Sequence, residues 1–136
     1  MNGQIEHANV NVSSIETAIK FFQTAFPHFR IRGSGGDAWR WVHIGTDDTY
    51  ICLNGNPEQN PELRSGHRGY GFNHIGFIVD DADALRERML QAGYQEAYKV
   101  APHPFRKRVY FHDPDGNEYE FVEYLSDNPA ERNRYD

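Results

Sequence analysis

Apolar and polar residues alternate in Ile5-Glu-His-Ala-Asn-Val-Asn-Val12, which predicts a strand with Ala8, Val10 and Val12 on one face and His7, Asn9 and Asn11 on the other. The period then lengthens. Ser13 and Glu16 have capping-box spacing, and Ile15, Ala18, Ile19, Phe22 and Ala25 or Phe26 form one helical stripe that Pro27 ends. Short apolar runs predict strands at Phe29 to Arg32, Trp39 to Ile44 and Thr49 to Leu53, with turns at Ser34 to Gly36 and at Asp47-Asp48. Residues 55–71 carry Pro57, Pro61, Gly66, Gly69 and Gly71 and read as a linker.

The same order then returns. A strand over 72–79 sets Asn73, Ile75, Phe77 and Val79 against His74, Gly76 and Ile78, and Asp80 or Asp81 caps a helix bearing Leu85, Met89 and Leu90. Gly93 ends that helix. Tyr94 to Val100 predicts a second strand, interrupted at Pro102 and Pro104; Arg106 to Phe111 predicts a third and Glu118 to Tyr124 a fourth, joined by the turn Asp113-Pro-Asp-Gly116. Each half reads β-α-β-β-β, an internal duplication. The expected class is α+β, a single domain of two βαβββ modules whose curved sheets form a cupped, mostly antiparallel mixed sheet. Module 1 covers about 4–54, the linker 55–71, module 2 about 72–125, and a polar tail 126–136.

Composition narrows the partners. A chain of 136 residues is about one domain, and its net charge of -6 argues against general nucleic-acid binding. The basic run Arg106-Lys107-Arg108 can still attract a small anionic ligand. No apolar run has the ~20 residues of a membrane helix, and the N-terminal residues lack a signal-peptide pattern. The single cysteine cannot form an internal disulfide, so a reducing, cytoplasmic location is expected.

Chemistry enters through the duplication. Both histidines that open a module lie off the apolar face, and so does Glu120, because Tyr119 and Phe121 take the other side of their strand. Glu120 follows His74 by 46 residues, and the position 45 after His7 is Cys52. His7, Cys52, His74 and Glu120 thus occupy repeat-equivalent positions, and all four residue types bind metals. Two imidazoles and a carboxylate leave a divalent ion with open positions for substrate. Cys52 is either a fourth, soft ligand or a small buried residue. Asn9 shares the face of His7 and is a candidate to support the ligands or touch substrate. Arg108 and Tyr110 share a strand face; either Arg108 holds a substrate carboxylate or phosphonate and Tyr110 donates a hydrogen bond, or both belong to an exposed, salt-bridged surface. Trp39 and Trp41 either wall the pocket or serve as core.

At Glu6-His7, Asn73-His74-Ile75-Gly76-Phe77, Asp113-Pro-Asp-Gly-Asn117 and Glu120 the chain resembles the vicinal oxygen chelate superfamily of glyoxalase I, extradiol dioxygenases, fosfomycin-resistance transferases and bleomycin-resistance proteins. The resemblance runs from about residue 4 to residue 125. It implies a paired βαβββ fold, a homodimer, one divalent ion per site (Fe, Mn, Zn or Ni) held by His7, His74 and Glu120, and a small oxygen-chelating substrate. Glyoxalase I relatives place a glutamate where this chain has Cys52, whereas dioxygenases and fosfomycin-resistance transferases use three ligands. Ring-cleaving members add an acid–base histidine, for which His43, His67 and His112 are candidates. Two readings stay open: a metal-dependent dioxygenase, lyase or thiol transferase, and a non-catalytic binding or resistance protein of the bleomycin-resistance type.

Overall fold

The alternation at the N-terminus forms β1 (His7–Asn11), with Ala8 and Val10 half-buried and His7, Asn9 and Asn11 exposed. In the computed structural model residues 4–38, 40–55, 72 and 74–135 are described. Helix α1 (Ile15–Ala25) follows, and its cap is Ser14, one residue later than the capping box predicted. Ser14 Oγ accepts from the Thr17 amide at 3.3 Å, and the Thr17 hydroxyl donates back to the Ser14 carbonyl at 3.1 Å. Glu16 is therefore free of capping duty and pairs with Arg40 instead. Burying Ile15 at the first helical position sets this register.

Strands β2 (Arg30–Gly35), β3 (Arg40–Gly45) and β4 (Tyr50–Gly55) complete the first unit. Strand β2 runs to Gly35, so the turn predicted at Ser34 is confined to Gly36, whose φ of 81° suits glycine. Gly55, assigned to the linker, is the last residue of β4; the remainder, 56–71, lies outside the described residues. The sheet order is β1-β4-β3-β2, with β1 parallel to β4 and the other pairs antiparallel. Val12, Ile15, Ala18, Phe21, Phe22, Val42, Ile44, Ile51 and Leu53 form its core at 3% exposure or less. Each fully buried phenylalanine contributes roughly 1.5–3 kcal/mol by removal of apolar area from water.

The second unit repeats the plan with one element reduced. Strand β5 (Ile75–Ile78) pairs parallel to β7 (Glu118–Tyr124), which pairs antiparallel to β6 (Arg106–His112). The strand expected at Tyr94 to Val100 is only an isolated bridge, Glu96 opposite Phe111, held by Ala97 N–H to the Tyr110 carbonyl at 2.8 Å and His112 N–H to the Gln95 carbonyl at 3.0 Å. Pro102 and Pro104 lack the amide donors needed to extend it.

Between β5 and β6, α2 (Ala82–Gln91) is capped by Asp81. Glu123 of β7 also accepts from the Ala82 amide at 2.9 Å, which ties the helix to its sheet. Its C-terminus closes with Tyr94 N–H on the Met89 carbonyl and Gly93 N–H on the Leu90 carbonyl, with Gly93 at φ 86°. Leu85, Met89, Phe111, Tyr119 and Phe121 fill the core, whereas Leu90, read onto the same stripe, is 41% exposed. The tail forms a short helix α3 (Pro129–Arg132), docked through Arg106 Nη1 to the Arg132 carbonyl at 3.1 Å.

The chain is thus α+β with two mixed sheets, in two compact units, Met1–Arg64 and Ser65–Asp136. Among the described residues no helix is long and apolar enough to cross a membrane.

Candidate metal centre

The duplication inferred from spacing is reproduced by strand register. In the first unit Cys52 lies opposite Asn9 and His43; in the second, Glu120 lies opposite Gly76 and Tyr110. Both lie opposite the residue two beyond the opening histidine, Asn9 or Gly76, on the sheet face away from the helix.

In the second unit this face gathers titratable groups. His74 Nε2 stands 3.2 Å from Glu120 Oε2, and the Tyr110 hydroxyl donates to Glu120 Oε1 at 2.6 Å. A Cβ at Gly76 would stand 3.6 Å from Glu120 Oε2, in ordinary van der Waals contact with it. Tyr98 stacks on Tyr110 with ring centroids 4.6 Å apart, and its hydroxyl donates to Glu118 Oε2 at 3.4 Å. Glu118, only 5% exposed, also lies 3.8 Å from His74 Nδ1. Burial, and then the bond to Glu120, raise the Tyr110 pKa well above the ordinary tyrosine value, so its hydroxyl is a hydrogen-bond donor at neutral pH. The positive charge of Arg108 acts on both tyrosines in the opposite sense. Of the basic run, Arg106 is committed to the tail and Lys107 to Asp83, which leaves Arg108 beside this site.

The first unit presents a different surface. His7 stacks on Tyr50 with centroids 4.8 Å apart, Tyr50 stacks on His43 at 4.4 Å, and His43 lies 4.7 Å from Trp41. A bulge between Ile31 and Gly33 interrupts the β2–β3 register, and Arg32 within it lies over the Tyr50 ring at 4.4 Å. Glu6 Oε1 is 3.0 Å from His7 Nδ1 and accepts from the Tyr50 hydroxyl at 3.0 Å. These two contacts, the His7 contact being the larger, hold the Glu6 carboxyl below its usual range. Burial, then the charges of His7 and Arg32, push His43 below the ordinary histidine value. Cys52 is buried and its thiol is pushed up by desolvation, away from the thiolate that binds metals. Asn9 accepts from Asn54 Nδ2.

Two of the sequence-predicted ligands, His74 and Glu120, therefore meet; His7 is placed in the other unit. Among the described residues no three His, Cys, Asp or Glu side chains gather into a ligand cage. The pair that does meet fits a divalent ion. Two ligands bound at about 2.1 Å lie about 3 Å apart at neighbouring positions, and the observed His74–Glu120 separation is 3.2 Å. The donor set, one imidazole and one carboxylate, suits Mn, Fe, Ni or Zn. Trp39, His67 and Asn73 lie outside the described residues, whereas His112 pairs with Glu118 at the end of the β6–β7 ladder.

Sequence reading missed Tyr98, Glu118 and Tyr50. Tyr98 fell in a segment read only as strand, and Glu118 was placed only as the first residue of the fourth strand, on the face of Glu120. Tyr50 shares the parity of Cys52, a signal from which its place beside His7 could have been found.

Residues 4–121 match the Glyoxalase/Bleomycin resistance protein/Dioxygenase superfamily, and the chain belongs to it. It is 29% identical over 122 residues to metallothiol transferase FosB of Shouchella clausii, covering 86% of this chain and 77% of that protein. It is 26% identical over 134 residues to a probable trivalent organoarsenical cleaving enzyme of Bacillus subtilis, covering 93% and 84%. Its fold superposes on the fosfomycin resistance protein FosX of Listeria monocytogenes, solved with Mn(II) and sulfate, at a TM-score of 0.69 and 19% identity, covering 98% of this chain and 100% of that one.

Proposed function

We propose that this protein is a divalent-metal-dependent enzyme acting on a small, oxygen-rich, anionic substrate, with His7, His74 and Glu120 as metal ligands. The observation that carries the proposal is the approach of His74 Nε2 to Glu120 Oε2 at 3.2 Å on a sheet face directed away from the core. The superfamily assignment makes that pair informative, and the names of the relatives favour transferase or lyase chemistry over ring-opening dioxygenation. When bound, the ion supplies a Lewis acid that polarises substrate oxygens and steadies negative charge developing on them.

The chain's own residues do the rest. Tyr110 fixes one Glu120 oxygen and leaves the other toward His74. Its ring, braced by Tyr98, is held 5.9 Å edge-on from the imidazole. Arg108 supplies fixed positive charge for a carboxylate, phosphonate or related anion. A second copy of the chain and a cytoplasmic location go with this reading.

The test is turnover by metal-free protein reconstituted separately with Mn(II), Fe(II), Ni(II) and Zn(II). Fosfomycin plus a thiol, and trivalent organoarsenicals, are the first substrates to offer. Turnover that requires one of these ions and is lost in Glu120→Gln supports the enzyme. Binding of these compounds without chemical change under every ion refutes it and leaves the binding-protein reading.

A further inference from the structure

We propose that the C-terminal segment, residues 126–135, determines which anions the second unit accepts: docked at one end of the sheet face that carries Tyr110 and Glu120, it takes up Arg106 and leaves Arg108 to meet the ligand. The inference rests on the anionic-substrate reading above, and no metal ion enters its test.

Strand parity puts the pieces on one face. Lys107 bonds to Asp83 of α2, and Val109 and Phe111 are buried in the core, so the intervening Arg106, Arg108 and Tyr110 project from the other side of β6. Register sets Tyr110 opposite Glu120, Arg108 opposite Val122 and Arg106 opposite Tyr124. Positions two residues apart on a strand are separated by roughly 7 Å. From the Tyr110–Glu120 pair, Arg108 is therefore one step away and Arg106 is two.

The tail closes the far end of this row. The Leu125 amide donates to the Phe105 carbonyl at 2.9 Å, and Asn128 caps α3 by accepting from the Ala130 amide at 3.0 Å. Arg132 then lies over the Tyr124 ring at 4.3 Å, and Arg134 over Phe105 at 5.5 Å. Arg106 answers from the strand. Its Nη1 donates to the Arg132 carbonyl at 3.1 Å, and its guanidinium lies 5.1 Å from the centre of the Tyr135 ring. Arg106 is 9% exposed, whereas Arg108 is half-buried. Burial, then the charges of Arg106, Arg134 and Arg108, hold His103 below the ordinary histidine value, so the tail and both strand arginines act on one imidazole.

A guanidinium grips a carboxylate or phosphonate through its fork of N–H donors. Arg106 spends that capacity on the tail and is closed to solvent, so an anion reaching this face meets Arg108. A ligand whose anionic group lies one strand step from its other oxygens fits. A ligand with a second anion one step further out meets the tail instead. Loosening the tail frees Arg106 and extends the range.

The test titrates metal-free protein with methylphosphonate and with propane-1,3-bisphosphonate, whose second anion can reach the next position along the face. The side-chain Nε–H resonances of Arg106 and Arg108 report binding in 1H–15N spectra. In the wild type both compounds should shift Arg108, leave Arg106 unmoved and bind with similar affinity. The comparison is Arg132→Ala combined with Arg134→Ala, which removes two arginine–ring contacts that hold the tail. There the bisphosphonate should shift both arginines and bind roughly tenfold or more tighter, with methylphosphonate unchanged. Faster hydrogen exchange at the Asn133 amide, which donates to the Pro129 carbonyl at 3.0 Å, should accompany that gain.

A shift at Arg106 in the wild type, or no shift at Arg108 with either compound, overturns the proposal. So does a double variant that keeps Asn133 protected or gains nothing for the bisphosphonate. The wild-type titration decides the point even if the double variant fails to fold. Loss of the metal reading would leave every one of these outcomes as it stands, and a metal-binding protein whose wild-type Arg106 takes phosphonate keeps the metal site and loses this claim.

Discussion

Tyr110→Phe isolates one hydroxyl at the centre of the site. Tyr110 is 5% exposed, and its hydroxyl donates to Glu120 Oε1 at 2.6 Å. Phenylalanine keeps the ring, and with it the stacking on Tyr98 at 4.6 Å. A hydrogen bond to a charged acceptor contributes about 1.5–3 kcal/mol, and because the Glu120 side chain is still 16% exposed the lower end applies. The expected loss at pH 7 is about 1.5 kcal/mol, roughly a 5 °C fall in Tm for a chain of this length.

The alkaline side supplies an internal control. An unfolded chain releases the tyrosine proton near pH 10, whereas burial and the Glu120 bond hold the folded Tyr110 pKa above that. Above about pH 10 the folded state binds a proton that the unfolded state has lost, so stability falls as pH rises. This contribution is fully present below the unfolded pKa and lost as pH climbs toward the folded one. The Tyr110→Phe deficit should therefore be constant from pH 7 to 9 and shrink above about pH 10. Urea unfolding followed by circular dichroism across that range measures both features. Equal stability at pH 7, or a deficit that does not change up to pH 11, would refute the Tyr110–Glu120 bond as described.

Other changes test the frame around the site. Asp113→Ala removes a buried carboxylate that accepts from the Asp115 amide, the Asn117 amide and Asn117 Nδ2 at 2.8–2.9 Å. It should cost about 2–4 kcal/mol and speed hydrogen exchange at the Asn117 amide; unchanged exchange would contradict the turn. In Gly45→Ala the new Cβ would lie 2.3 Å from the Thr49 carbonyl oxygen and 2.7 Å from Tyr50 Cα. Backbone must move there, so a loss above about 2 kcal/mol is expected, together with altered NMR shifts for the stacked His7 and His43 rings. Arg86 forms a two-pronged pair with Glu96 at 2.9 and 2.8 Å, holding the Glu96 carboxyl below its usual range. The stability from that pair is present above the ordinary carboxylate pKa and lost as pH falls through the lowered one. Arg86→Ala should then lower the urea midpoint at pH 7 and match the wild type near pH 2.

What could be read from the sequence was whatever has a period or a covalent signature. The first βαβββ unit was legible because its alternating strands and helical stripe carry apolar residues at regular spacing. Gly93 and the Asp113 turn were legible because their backbone geometry restricts residue choice. Phe21 was missed because a helix packed on a sheet buries more than a single-file stripe. Ser13 was preferred to Ser14 because adjacent serines satisfy the same local rule, and burial of Ile15 decides between them. The equivalence of Cys52 and Glu120 was visible from spacing alone, and register bears it out. Glu118 and Tyr98 were not visible, since a buried carboxylate on a strand looks like a solvated one until its partners are placed.

The central claim is that His74 and Glu120 hold a divalent metal. It is tested most directly by metal content, measured by mass spectrometry on untagged protein, for the wild type, His74→Ala and Glu120→Gln. Near-stoichiometric Mn, Fe, Ni or Zn in the wild type that falls away in both variants is the predicted result. Equal metal content in all three proteins, or none in the wild type after reconstitution with each ion, would contradict it.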